Sequence, residues 1–134
     1  MRLFLKFFIL LSLGVGSLFA EFLDAQREQA IRENKLILLN IGRQSCPYCQ
    51  KMEREFFKNA AYRKQVNEKF VLLFVDANDP TLPKRFRVDG VPTNAILAPK
   101  NLKILEARTG YIEPTRFMGI LKDTYTKFMA SQPK

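Results

Sequence analysis

The chain has 134 residues, with 22 lysines and arginines against 13 acidic residues, two cysteines and no histidine, and its net charge is +9. This length suits one domain with a modest core and is too short for two. The lack of histidine excludes Ser–His and Cys–His catalysis and histidine-ligated metal sites, and two cysteines are too few for a disulfide framework.

The first twenty residues have the order of zones found in a secretory signal peptide. Arg2 and Lys6 come first, an apolar run follows, and small residues end the segment at Ala20. The alternative is an uncleaved membrane anchor, but the apolar run is shorter than the roughly 20 residues that a transmembrane helix needs. We therefore predict a cleaved secretory signal peptide over residues 1–20 and a periplasmic location for the domain over 21–134.

The rest of the chain alternates between helical and strand patterns. Apolar residues at near-helical spacing over 22–35 predict an amphipathic helix, and the continuous apolar run 36–41 predicts a strand covered on both faces. The cysteines precede a helix over about 46–58. The next elements are a helical segment over 60–70, a buried strand over 70–76 and a turn-rich segment over 78–90. The chain ends with a hairpin of strands over 92–98 and 102–109 and an amphipathic helix over 113–129.

These elements predict an α/β fold. Strands that alternate with helices form a parallel portion of sheet, and the final hairpin adds an antiparallel edge. We therefore expect a central mixed β-sheet of about four strands, flanked by helices on both faces. Active groups of such sheets gather at the carboxyl ends of the strands, and Cys46 follows the first strand by only a few residues.

Both cysteines lie at the start of a helix, in the sequence Cys46-Pro47-Tyr48-Cys49. Pro47 suits the first helical position, where its missing N–H is not needed, so Cys46 is placed at or near the N-cap. The unpaired N–H groups and the positive end of the helix stabilise a thiolate there, so we expect a lowered pKa and a nucleophilic Cys46. Cys49, about one turn further along, is close enough for a disulfide and is predicted to resolve the mixed disulfide.

Spacing alone leaves two other roles open for the cysteine pair. A zinc site would need two more ligands, which only a second copy of the chain would supply. A purely structural disulfide would close a very short loop and would stabilise the fold little. A redox pair is the best interpretation of two thiols placed between a buried strand and a helix. We predict no metal and no bound cofactor, because the electrons reside in the dithiol.

The sequence resembles the thioredoxin superfamily over most of residues 30–129. The motifs that carry the resemblance are CPYC after a buried strand, VDANDP at the end of the next strand, GVPT at 90–93 and Gly110 after the last strand. CPYCQKMEREFF together with VNEKFVLLFVD is particularly similar to exported thioredoxin-like proteins related to SoxW and to the C-terminal domain of DsbD. CPYC also resembles the glutaredoxin motif. The resemblance implies a thioredoxin fold and a thiol:disulfide oxidoreductase.

The resemblance also implies roles for residues around Pro92. It implies a cis Val91–Pro92 bond beside the cysteine pair, and pairing of the backbone before Pro92 with an extended segment of the substrate. An ordinary trans proline at the start of a strand is the alternative. Tyr48 is either a substrate-contacting aromatic residue or an exposed tyrosine with no further role. We thus predict Cys46 and Cys49 as catalytic residues and Tyr48, Val91 and Pro92 as substrate-binding residues.

Two positions depart from the superfamily pattern. Many thioredoxins have a buried aspartate six residues before the first motif cysteine and a lysine on the neighbouring strand, where this chain has Asn40 and Leu72. The two replacements agree, because a buried carboxylate without its lysine would be costly. An amide cannot take the proton from Cys49, so assistance must come from water, from another group or not at all.

The positive charge of the chain is not arranged as a nucleic-acid site. The basic residues form no run with interleaved aromatic residues, and PKRFR at 83–87 is the densest cluster. We interpret the charge as a solvated basic face. Since the chain is also expected to be exported, we predict no nucleic-acid partner.

These observations together predict an exported thiol:disulfide oxidoreductase that acts on protein substrates as a monomer. The Pro-Tyr dipeptide favours an intermediate redox potential, which permits reduction or oxidation. Similarity to the SoxW and DsbD branch favours a reductase that receives electrons from a membrane donor of the DsbD or CcdA type. Val91, however, is similar to the residue before the proline in oxidising DsbA-like proteins. The alternatives are a DsbA-like oxidant or isomerase and a non-catalytic thioredoxin-fold binding module.

Overall fold

The computed structural model describes residues 22–134, so the signal peptide predicted over residues 1–20 lies outside the described residues. The helices are α1 Asp24–Glu33, α2 Pro47–Met52, α3 Ala60–Lys69 and α4 Pro114–Ser131, with a π-helical turn at Glu53–Phe57 and a 3-10 turn at Lys84–Phe86. The strands are β1 Leu36–Gly42, β2 Phe70–Asp76, β3 Thr93–Leu97 and β4 Ile104–Thr109. Within this part of the chain, no helix combines the length and the apolar character needed to cross a membrane.

The four strands form one mixed sheet in the order β2-β1-β3-β4. β2 runs parallel to β1, β3 runs antiparallel to β1, and β4 runs antiparallel to β3. The predicted mixed sheet of about four strands is therefore confirmed. Because β1 and β2 are parallel, their carboxyl ends meet at the same edge of the sheet, where Gly42 lies opposite Asp76.

Helices cover both faces of this sheet, as predicted. Successive side chains of a strand point to opposite faces, so Leu36 and Leu38 pack with residues of α3 and α4, whereas Ile37 and Leu39 pack with Ala30 of α1. All four β1 side chains are fully buried. This two-sided burial explains why the start of β1 is a continuous apolar run and not an alternating one.

The helix predicted over about 46–58 has two parts in the structure. α2 ends at Met52, and the following π-helical turn is closed by a hydrogen bond from the Lys58 N–H to the Glu53 carbonyl, with an N–O distance of 2.8 Å. This turn buries two adjacent aromatic side chains, Phe56 and Phe57, in the core beside α3 and α4. Neighbouring residues of a regular α-helix point about 100° apart, and both rings of this turn lie in one core cluster.

Candidate active site

Cys46 lies at the N-terminus of α2, just beyond the carboxyl end of β1. Its backbone is extended, with φ −85° and ψ 115°, and Pro47 is the first helical residue. The Cys46 sulfur accepts a hydrogen bond from the backbone N–H of Cys49, with an N–S distance of 3.1 Å. The predicted N-cap position is therefore confirmed, and one of the orphan helix donors points directly at the sulfur.

Cys49 lies one helical turn further along and is half-buried, like Cys46; both are free thiols. Burial of the Cys49 thiol raises its pKa from 9.0 to about 11, and a hydrogen bond to Cys46 and the charge of an ionised Cys46 act in the same direction. A β-carbon added to Gly42 would lie 3.3 Å from the Cys49 sulfur. The glycine at the end of β1 therefore leaves the approach to Cys49 open.

The turn before β3 brings a second segment against the cysteines. The Val91–Pro92 bond is cis, as the resemblance implied. The Cys46 thiol points to the Val91 carbonyl oxygen at an S–O distance of 3.7 Å, while Pro92 is buried. The structure thus brings Val91 and Pro92 to the cysteine pair. Tyr48 is 62% exposed and presents its ring on the surface beside the pair.

A cleft of about 250 Å³ opens beside Cys49 on the side of β2. Besides Cys49 and Gly42, its lining includes Asn40 and the carboxylates of Glu53 and Asp76. Glu53 follows Cys49 by four residues, and side chains at this spacing are neighbours on a helix surface. No motif in the sequence marks Glu53 or Asp76; the i, i+4 spacing from Cys49 was the available signal for Glu53.

The buried polar pair behind the cysteines is made by two asparagines. Asn40 donates a hydrogen bond from its side-chain nitrogen to the side-chain oxygen of Asn94 at 2.7 Å. Asn94 in turn donates to the sulfur of Met52, with an N–S distance of 3.4 Å. Asn40 faces Asn94 across the β1–β3 register. The amide at position 40 is therefore satisfied by a neutral partner that the sequence analysis missed.

Among residues 22–134, no group of three or more cysteine, histidine, aspartate or glutamate side chains is arranged to hold an ion. The two thiols, the helix N-terminus and the nearby carbonyl form an arrangement that can form and exchange disulfides.

The raised pKa of Cys49 predicts unequal reactivity of the two thiols. The pKa of Cys49 rises from 9.0 to about 11, so its neutral, unreactive form is favoured across the pH range where an ordinary cysteine ionises. We expect alkylation of Cys49 by iodoacetamide to be slow at pH 8 and to accelerate only as the pH approaches 11. Mass spectrometry of the peptides from reduced protein, sampled over time, measures this rate.

A Cys46→Ser variant is the matched control for that measurement. It removes the hydrogen bond and the charge that hold the Cys49 proton, so Cys49 should react faster in the variant at the same pH. If Cys49 of the unmodified protein were alkylated at pH 8 as fast as the cysteine of an unstructured peptide, the prediction would be contradicted.

Comparisons with known proteins agree on the fold. The family described as thioredoxin-like domain matches residues 23–125. The solution structure of a thioredoxin from Thermus thermophilus is 23% identical, with a TM-score of 0.64 over 74% of this chain and 80% of that chain. The reduced periplasmic thioredoxin SoxS from Paracoccus pantotrophus is 20% identical, with a TM-score of 0.55 over 69% of this chain and 97% of that chain. The oxidised DsbD C-terminal domain from Neisseria meningitidis is 19% identical, with a TM-score of 0.60 over 75% of this chain and 90% of that chain.

A curated relative matches a shorter part of the sequence. Spermatogenesis-associated protein 20 from Mus musculus is 36% identical over 52 residues, which are 39% of this chain and 7% of that protein. This chain therefore corresponds to a small part of the curated relative. The likeness to the solved structures confirms the predicted thioredoxin fold.

Proposed function

Because this chain belongs to the family of thioredoxin-like domains, we propose that it is an exported thiol:disulfide oxidoreductase that exchanges disulfides with protein substrates through Cys46 and Cys49. The observation that carries the proposal is the position of the Cys46 sulfur. It lies at a helix N-terminus, accepts the Cys49 N–H at 3.1 Å and lies 3.7 Å from the Val91 carbonyl oxygen. This position leaves the sulfur of Cys46 at the end of the helix, where a substrate disulfide can approach it for exchange.

In the reductive direction, two exchange steps follow from this arrangement. The Cys46 thiolate attacks one sulfur of a substrate disulfide, a mixed disulfide forms, and the other substrate sulfur leaves as a thiolate that takes a proton. Cys49 then loses its proton and attacks the Cys46 sulfur, which releases the second substrate thiolate. The substrate disulfide is reduced to two thiols, and the protein is oxidised to the Cys46–Cys49 disulfide.

The proton of Cys49 must leave during the second step. Asn40 cannot accept it, because its amide is hydrogen-bonded to Asn94 and has no basic group. We propose that the proton leaves through the cleft beside Cys49, which Glu53 and Asp76 help to line. Once the mixed disulfide has formed, Cys46 carries no negative charge, and this contribution to the raised pKa of Cys49 disappears.

Export and the reductive direction are finer parts of the same proposal. Export is supported by the signal-like order of residues 1–20 and by similarity to a structure described as a periplasmic thioredoxin. Reduction is supported by the likeness to the DsbD C-terminal domain, and it implies a membrane electron donor as partner. In living cells, a reductase should accumulate as the dithiol and lose that state when the membrane donor is removed. Accumulation of the disulfide form in the presence of the donor would contradict this direction.

A Cys49→Ser variant tests the exchange chemistry and identifies the substrates. Without the resolving thiol, the mixed disulfide on Cys46 cannot be released, so we expect covalent adducts with substrate proteins that dithiothreitol cleaves by reducing the disulfide. Extracts of cells that express the variant are separated by non-reducing electrophoresis, and mass spectrometry identifies the proteins in the adduct bands. A variant that also carries Cys46→Ser is the control and should form no adducts. Adducts that form equally in both variants, or in neither, would overturn the proposal.

A further inference from the structure

The two edge strands of the sheet differ in how they are protected from further pairing. β4 carries Glu106 and Arg108, which form an ion pair at 3.0 Å, and its pairing with β3 has a register shift. Charged side chains and register irregularities are common means by which proteins protect exposed edges. The pairing of β2 with β1 has no register shift, and the only charge in β2 is Asp76 at its carboxyl end, after the uncharged residues 70–75. Within residues 22–134, β2 pairs with β1 alone.

A groove of about 490 Å³ lies along β2, and we call it the β2 groove. Its floor comes from apolar residues of the strand, including Phe74, which is 52% exposed. Polar side chains from α1 and α3 form its walls. The charged side chains that line it, Lys35 and Arg63, are both positive. Lys35 is paired with Glu33 at 3.1 Å, whereas Arg63 forms no ion pair within the described residues.

We infer that the β2 groove binds an extended, acidic segment of a partner protein by strand addition along β2. The outer edge of an edge strand presents unpaired backbone N–H and C=O groups, which a new strand can pair with. The apolar floor accepts alternate side chains of that strand, and the guanidinium of Arg63, which lines the groove, selects carboxylates of the partner. This inference goes beyond the proposed function, because neither cysteine takes part in the contact.

A second copy of the chain is a less suitable occupant of the β2 groove. Two-fold pairing of identical surfaces brings the same patch of both copies together, so the two positive side chains that line the groove, Lys35 and Arg63, would meet their own copies in one interface. The groove also leads toward the candidate active site, since Phe74 lines both the groove and the cleft beside Cys49. A partner held on β2 would therefore lie next to that cleft.

A peptide titration tests this inference. The probe is a capped eight-residue peptide in which valine alternates with glutamate, and the comparison peptide has lysine at each glutamate position. We expect the acidic peptide to shift the amide signals of residues 70–76 in nuclear magnetic resonance spectra more than those of 104–109. We also expect its affinity to fall with added salt and the lysine peptide to leave both strands unshifted.

Charge reversal on α3 provides the matched variants. Arg63→Glu should weaken binding of the acidic peptide by about tenfold or more, because it places a like charge in the groove. Lys64→Glu makes the same change of net charge at the next residue of the helix, which is also exposed but does not line the groove. We expect the affinity of the Lys64→Glu variant for the acidic peptide to stay within about twofold of that of the unmodified protein.

Several results would overturn the inference. Equal binding of both peptides, equal losses for Arg63→Glu and Lys64→Glu, or shifts centred on β4 would each show that β2 is not a specific site. Absence of peptide binding together with a doubled mass in sedimentation would assign the edge to a second copy instead. A variant with both cysteines replaced by serine should bind the peptide normally, so failure of the redox proposal and failure of this inference can be told apart.

Discussion

Replacing Cys46 with serine is expected to lower the rate of thiol:disulfide exchange by about three orders of magnitude, to the background without protein. The serine hydroxyl can still accept the Cys49 N–H at the helix N-terminus, so the fold of α2 should be preserved. It cannot form a disulfide, however, and the remaining Cys49 thiol is still half-buried, which is the largest cause of its raised pKa. The remaining thiol is therefore a poor substitute for the missing nucleophile.

Reduction of a disulfide-bonded protein by the variant, with dithiothreitol as the electron source, measures this effect. Ser45→Ala changes the residue immediately before the nucleophile, where the side chain is exposed, and should leave the rate nearly unchanged. Circular dichroism and urea unfolding of both variants establish that the folds are equivalent. Full activity of Cys46→Ser would show that Cys46 is not the nucleophile. Loss of activity with a partner still held by non-covalent contact would instead favour a binding module.

Replacing Phe56 with alanine is expected to lower the free energy of unfolding by about 3–5 kcal/mol. Phe56 has no exposed surface, and its ring centroid lies 4.8 Å from that of Phe117, 5.0 Å from that of Tyr62 and 5.1 Å from that of Phe57. Removing the ring leaves a cavity between the π-helical turn, α3 and α4. Because the neighbouring aromatic rings are rigid, we expect the cavity to collapse only in part.

Urea unfolding of the reduced protein, followed by circular dichroism, measures this loss as a shift in the transition midpoint. Tyr48→Ala is the matched control, since it also removes an aromatic ring but from a side chain that is 62% exposed. Its effect should stay within about 0.5 kcal/mol. Equal losses for the two variants would show that the core around Phe56 does not dominate the stability of this face of the sheet.

The order of the helices and strands could be predicted because it depends on local patterns. The strand predicted over 70–76 coincides with β2, and the strand predicted over 36–41 is one residue shorter than β1. The position of Cys46 followed from its neighbour Pro47, which is acceptable only at the first turn of a helix. The single helix predicted over about 46–58 missed the π-helical turn that follows Met52. The burial of Phe56 and Phe57 in that turn depends on the helices packed around them.

The cis form of the Val91–Pro92 bond could not be predicted from local sequence patterns alone. GVPT alone is also compatible with a trans proline at the start of a strand, and the resemblance to a family was needed to predict the cis form. The satisfied pair of Asn40 and Asn94 was not predicted, since their contact depends on the register between β1 and β3. The roles of Tyr48, Val91 and Pro92 in substrate binding stay predictions for the proposed enzyme.

By itself, the sequence determined the class of fold, the mixed sheet and the placement of two thiols at a helix N-terminus, because apolar period, turn residues and capping act between near neighbours. Only the tertiary structure decided that the Val91 carbonyl lies beside the Cys46 sulfur, that Gly42 opens the approach to Cys49, and that β2 is an edge strand of the sheet among residues 22–134, beside a groove lined by Lys35 and Arg63. The contact of Cys46 with Val91 and the lining of the β2 groove join residues tens of positions apart. They depend on the register between strands and on which helix and sheet faces pack together. Neither can be predicted from a short stretch of sequence.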